Sequence, residues 1–142
     1  ADMDRKACIA YISHTFHVQP DYPFEGDFSS AVFRCPENRR WFALLMEVSP
    51  DRLGLKGTEP VLILNIKTDP LLIGSLLKQE GFLPAYHMNK AHWITMLPQT
   101  APEEMLRPLL AMSHALVSPS GKASKSDSTG QKKLAQQGIS ML

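Results

Sequence analysis

Apolar positions return at helical spacing through residues 4–17, where Cys8, Ile9, Ile12 and Phe16 share a face and Arg5, Lys6, Ser13 and His14 fall mostly opposite. Pro20 ends that element, and a loop with Asp21, Tyr22, Pro23 and Phe24 follows. Residues 31–35 read as a short strand, residues 36–40 as a turn, and residues 41–48 as a second strand. The two faces of that second strand, Phe42/Leu44/Met46 and Trp41/Ala43/Leu45, are both apolar, which predicts cover on both sides of the sheet. A polar loop with Gly54 and Gly57 leads to residues 61–67, the most strongly β-type run of the chain. Asp69 and Pro70 then have the chemistry of an N-cap and a first helical position. The helix they open is expected to bury Leu72, Ile73, Leu76 and Leu77 and to stop at Gly81, with Gly74 packed closely on the sheet. Two short strands flank the polar turn at residues 86–93. From Thr100 the capping-box spacing to Glu103 predicts a last helix running to about Val117. Leu106, Leu109, Leu110, Ser113 and Leu116 fall there at core spacing. Pro108 fits only if that helix kinks or if a short first turn ends before a new helix begins.

The order α-β-β-β-α-β-β-α predicts a two-layer α+β domain with an antiparallel sheet. The domain takes residues 1–117, because from Ser118 to Leu142 the composition shifts to Ser, Lys, Gly and Gln and reads as a basic tail. Charge divides at the same place. Residues 1–117 hold 11 Lys/Arg against 13 Asp/Glu, whereas residues 118–142 hold 4 Lys against 1 Asp, so the folded part is not basic overall. Tight binding to DNA by that part alone is therefore disfavoured, since such affinity comes largely from phosphate neutralisation. No apolar run reaches the ~18–20 residues that span a bilayer. Asp4, Arg5 and Lys6 open the first helix with no long apolar region behind them, so no signal peptide, no membrane partner and a cytoplasmic location are expected. Cys8 and Cys35 are too few for a disulfide framework and read as reduced core thiols.

The densest chemistry lies between Tyr86 and Trp93, with His87, Asn89, Lys90 and His92 inside it. These groups donate, accept and stack; Trp93, Tyr86, Tyr22 and Phe24 are candidate stacking platforms, and Lys67 and Lys90 are the cations best placed to join them. Of the aromatics Tyr22, Phe24, Tyr86 and Trp93, three are expected mainly inside. His87 and His92 have no third ligand at a known spacing, so neither metal nor cofactor is expected. There is no nucleophile motif, and residues 54–58 resemble a phosphate loop only superficially, so no catalytic residue is assigned. Asp21, Glu25 and Asp27 read as ordinary loop carboxylates.

The blocks Asp21-Tyr22-Pro23-Phe24, Trp41-Phe42-Ala43-Leu44, Leu64-Asn65-Ile66-Lys67-Thr68-Asp69-Pro70 and Pro84 to Trp93 occur in order. Together they resemble the MmcQ/YjbR-like family of small bacterial proteins over residues 4–117. The resemblance implies a five-stranded antiparallel sheet related to the type III secretion chaperone-like fold, and a DNA-binding role. Met112 to Val117 resembles the family's closing helix, except that His114 stands where the family usually has tyrosine. The tail has no family counterpart. The expected function is thus a non-enzymatic binding domain, with DNA as partner and Tyr22, Lys67, His87, Asn89, Lys90, His92 and Trp93 as contacts. The alternatives are a protein-interaction adaptor, for which the chaperone-like fold speaks, and a small-ligand protein or enzyme gathering Tyr22, Lys67, His87 and His92 around one pocket.

Overall fold

The structure is a computed structural model and describes residues 3–27 and 29–119. The expected basic tail falls almost wholly on residues 120–142, outside the described residues. The elements follow the predicted order: α1 (Arg5–Phe16), β1 (Ala31–Arg34), β2 (Trp41–Val48), β3 (Val61–Lys67), α2 (Pro70–Leu76), β4 (Phe82–Pro84), β5 (Trp93–Met96) and α3 (Leu106–Val117). Short 3-10 turns at Pro50–Leu53 and Glu103–Met105 are added. Local chemistry sets the helix ends. The Asp4 carboxylate accepts the Ala7 N–H at 2.9 Å to start α1, and Asp69 accepts the Leu71 N–H at 3.0 Å to start α2.

The five strands form one antiparallel sheet in the order β1-β2-β3-β5-β4. Arg34, Trp41, Lys67, Pro84 and Trp93 mark one end of the sheet, and Ala31, Val48, Val61, Phe82 and Met96 the other. Helices α1 and α3 cover one face, burying Cys8, Ile12, Leu109 and Leu110 against Phe33, Leu45, Leu64, Ile66 and Ile94. Both helices end at the Lys67 end. There the rings of Phe16 and His114 stack at 4.9 Å, both rings meet Phe42, and the Asn38 side chain donates to the Val117 carbonyl at 2.7 Å. The opposite face is covered in part, as its apolar pattern suggested: Ile63, Val48 and Leu97 lie beneath Leu53, Leu55 and Tyr86, whereas Lys67 and Trp93 at its end stay half-exposed.

One hydroxyl fastens α3 to the sheet. The β2–β3 ladder ends at the pair Ala43 and Ile66, and Phe42 and Lys67 lie just beyond it. Ser113 inserts there, donating to the Phe42 carbonyl at 2.5 Å and accepting the Lys67 N–H at 2.9 Å. Two backbone groups just past the β2–β3 ladder are thereby satisfied by a fully buried side chain.

Four expectations are corrected. Helix α2 stops at Leu76, and of its expected buried face only Leu76 is buried; Leu72 and Leu77 are exposed and Ile73 is half-buried. The helix spans only two turns and meets the sheet at β5, so one residue reaches the core. Gly74 is not held by packing, since a Cβ there would meet nothing within 4 Å. The Thr100–Glu103 capping box is not formed; a short 3-10 turn ends and a new helix begins, as one of the two alternatives for Pro108 had it, but at Leu106, so that Pro108 is its third residue. In the first turn a missing N–H removes no intrahelical bond, so the proline is accommodated without a kink. Finally, strict alternation fails on β2. The β1–β2 register shifts between Phe33 and Arg34, whose partners are Ala43 and Trp41. This bulge turns Phe42 into the helix-side core with Ala43 and Leu45, and sends Trp41 to the other face.

Candidate functional site

Residues 85–92 connect β4 to β5, and buried polar side chains hold this loop. Thr95 on β5 accepts the Tyr86 N–H at 2.8 Å and donates to the side-chain Oδ1 of Asn65 on β3, whose Nδ2 donates to the Tyr86 carbonyl at 3.0 Å. Asn65 and Thr95 are fully buried, so their polar groups are matched where water does not reach. Asn89 shapes the rest. Its side chain accepts the Ala91 N–H, and its carbonyl accepts the N–H groups of His92 and Trp93. His87 takes the left-handed conformation, φ 57°, and its ring stacks on Tyr86 at 3.8 Å with 17° between planes. The outcome is a rigidly based loop with His87, Asn89, Lys90 and His92 exposed, and Tyr86 and Trp93 half-buried.

Lys67 joins this group directly, since it pairs with Trp93 across β3 and β5, and the Thr68 N–H donates to the His92 carbonyl at 2.9 Å. Tyr22 does not. Asp21 bridges Val32 on the outer side of β1, so Tyr22 lies beyond β1, three strand spacings from β3 at ~4.8 Å each. A single pocket gathering Tyr22, Lys67, His87 and His92 is therefore not formed. The expectation that three of four aromatics lie mainly inside is also corrected: Tyr22 and Phe24 are 38% and 39% exposed, because they sit on a loop outside the edge strand. His87 and His92 belong to no group of three or more metal-ligating side chains among the described residues.

Two residues overlooked in the sequence complete the picture. Arg34 and Trp41 stand paired on β1 and β2, with the guanidinium 5.6 Å from the indole centroid and the Phe24 ring edge-on to the same indole at 6.1 Å. Arg34 also pairs with Asp21 at 3.1 Å and donates to the Arg39 carbonyl. Period-two alternation placed Trp41 with Ala43 in the core; only the bulge brings it out beside Arg34. A cavity of about 260 Å³ opens at this edge, lined by His17, Asp21, Arg34 and Arg39 among others.

Two of the loop carboxylates are engaged locally, Asp21 by Arg34 and Asp27 by the serines that follow it. Hydrogen bonds from Ser30, then Ser29, hold the Asp27 carboxyl at about 2. Cys35 donates its thiol to Glu37 at 3.0 Å, and burial pushes that thiol up, away from the reactive thiolate.

Charge is unevenly spread. Arg34, Arg39, Arg40, Lys67 and Lys90 all lie at the Lys67 end of the sheet. So do the chain's five histidines: His14 and His17 close α1, His87 and His92 lie on the loop, and His114 is in the last turn of α3. Of the carboxylates there, Asp21 is paired with Arg34, Glu37 is bound by Cys35 and Asp69 caps α2, with Glu25 on the adjoining loop. The groove of about 590 Å³ lined by Tyr11, Glu103, Glu104 and Arg107 lies at the other end.

An open antiparallel sheet with helices on one face and a polar, cation-bearing end defines a small α+β domain with a candidate binding surface. The chain belongs to the YjbR family, whose model matches residues 15–116. It is 36% identical over 115 residues to the uncharacterized protein YyaQ of Bacillus subtilis, covering 80% of this chain and 98% of that protein. Among solved structures it is similar to a Pseudomonas syringae protein, with 38% identity and a TM-score of 0.79 over 82% of this chain and all of the other. It is also similar to a DUF419 domain of Deinococcus radiodurans, with 27% identity and a TM-score of 0.59 over 82% of this chain and 79% of that one. No helix among the described residues is long and apolar enough to cross a membrane.

Proposed function

We propose that this protein is a DNA-binding domain that sets the Lys67 end of its sheet against phosphates. The observation carrying this is the gathering of five Lys/Arg side chains and all five histidines at one end, in a domain that is not basic overall. Phosphate contacts supply most non-specific affinity for DNA, so the local field at the contact surface matters more than the sum over the molecule. The chain also leaves the described domain at this end, after Ser118, and Lys122, Lys125, Lys132 and Lys133 follow in sequence. Within the surface, Lys67 and Lys90 serve as phosphate contacts, His87, Asn89 and His92 as donors, and Trp93 as an aromatic wall. Tyr22 contributes only to a ligand long enough to reach the β1 edge.

Labelled DNA is titrated with the full chain at about 50 and 200 mM salt, where a protein making several phosphate contacts loses orders of magnitude in affinity. Binding in the micromolar range that weakens steeply with salt is expected. Absence of any salt-dependent binding, with and without residues 118–142, would sink the proposal. A second reading, a protein-interaction adaptor, draws on α2, where Leu71 is 87% exposed and Leu72 and Leu77 are 40% and 38% exposed. A strictly monomeric protein by light scattering that recovers no partner from lysate counts against it.

A further inference from the structure

Resting on the nucleic-acid reading above, we infer that the ligand is a single strand, whose bases stack on the sheet face opposite α1 and α3. On that face cations and indoles alternate across four neighbouring strands: Arg34 on β1, Trp41 on β2, Lys67 on β3 and Trp93 on β5. Their common side follows from the packing. Phe33, Ile66 and Ile94, each next in sequence to one of the four, belong to the helix-side core, so Arg34, Lys67 and Trp93 point the other way. Trp41 is fixed on the same side by the Arg34 guanidinium over its ring. The bulge in β2 is what permits this, since regular pleating would have buried Trp41 among the helices.

All four residues are half-buried; Arg34 is shared with Asp21, and the Trp41 ring has the Arg34 guanidinium over it and the Phe24 ring edge-on, so Trp93 is the less encumbered of the two indoles. The Tyr86–His87 stack stands on the same face, tied to it through Asn65 and Thr95, with His87 outermost and exposed. Strand spacing separates the Trp41 and Trp93 backbones by roughly two steps of ~4.8 Å. Flat, partly open rings at fixed separation, alternating with cations, suit unstacked bases joined by phosphates. A duplex hides its base faces, so it would meet only the cations. This arrangement therefore assigns preference as well as location.

Trp41 and Trp93 are the only tryptophans in the chain, so intrinsic fluorescence reports on this face without a label. The full-length chain is titrated with a 12-nucleotide oligothymidylate and with a 12-base-pair duplex at equal salt. The single strand is expected to quench the tryptophans and to bind on the order of tenfold more tightly than the duplex. Trp93→Leu is expected to cost on the order of tenfold in single-strand affinity, and Trp93→Phe to restore most of it. Salt-dependent binding with unmoved fluorescence, or with the duplex bound as tightly as the single strand, overturns the stacking surface and leaves DNA binding standing. Binding of neither overturns both. Should Trp93→Leu fail to fold, quenching and strand preference in the unaltered protein decide the matter.

Discussion

Single residues show how differently the same amino acid acts in two places. Gly74 and Gly81 both follow apolar helical stretches, yet a Cβ at Gly74 meets open space, while at Gly81, with φ +89°, it would lie 2.5 Å from the Ala101 backbone. Gly74→Ala is expected to raise stability by about 1 kcal/mol, by the difference in helix propensity. Gly81→Ala is expected to lower it by about 3 kcal/mol or more, combining a left-handed backbone with overlap. Thermal unfolding of the two variants checks both signs. Asp27 offers a second test. Its carboxyl is held at about 2 by Ser30 and Ser29, so the stabilisation is complete above the ordinary 3.8 and is lost as pH falls towards 2. Ser30→Ala is expected to move the Asp27 titration upward in NMR; an unchanged midpoint would remove the hydrogen bond as the cause. The N-caps Asp4 and Asp69 act through side chains binding the very next turn. The second was legible in the sequence for that reason. The partners of Asn65 and Ser113, 21 and 46 residues away, were not.

At the scale of elements, the candidate loop depends on two neighbouring strands rather than on its own residues. Removing the Thr95 hydroxyl leaves the Tyr86 N–H and the Asn65 side-chain Oδ1 without this partner. Thr95→Val is expected to cost about 1–3 kcal/mol, as burial of unsatisfied polar groups does, and to speed hydrogen exchange at Tyr86. Normal exchange at that amide would show that the loop is held some other way. Ser113→Ala tests the joint between α3 and the sheet, with a similar expected loss of about 1–3 kcal/mol in chemical denaturation. The number and order of elements were readable from hydrophobic period. The burial of α2 was not, because its leucines at helical spacing predict an apolar face without saying whether anything covers it.

Across the whole molecule, a domain with slightly more carboxylates than cations presents a cationic end because α1, α3, the β1–β2 turn and the β4–β5 loop all finish there. Replacing Lys90 or Arg39 with Gln is expected to reduce the slope of log affinity against log salt by about 1 for each phosphate no longer neutralised, leaving folding intact. A slope unchanged in both variants would move the binding surface elsewhere. The sequence by itself determined the α+β class, the succession of strands and helices, the buried thiols and the polar loop between Tyr86 and Trp93. Each of these rests on local periodicity, capping chemistry or composition. Only the tertiary structure decided that β5 lies between β3 and β4, that one bulge carries Trp41 to the face of Lys67 and Trp93, and that Tyr22 stands apart from them. Strand order and register arise from hydrogen bonding between distant segments, and a one-residue shift in a period of two reverses which face a side chain occupies.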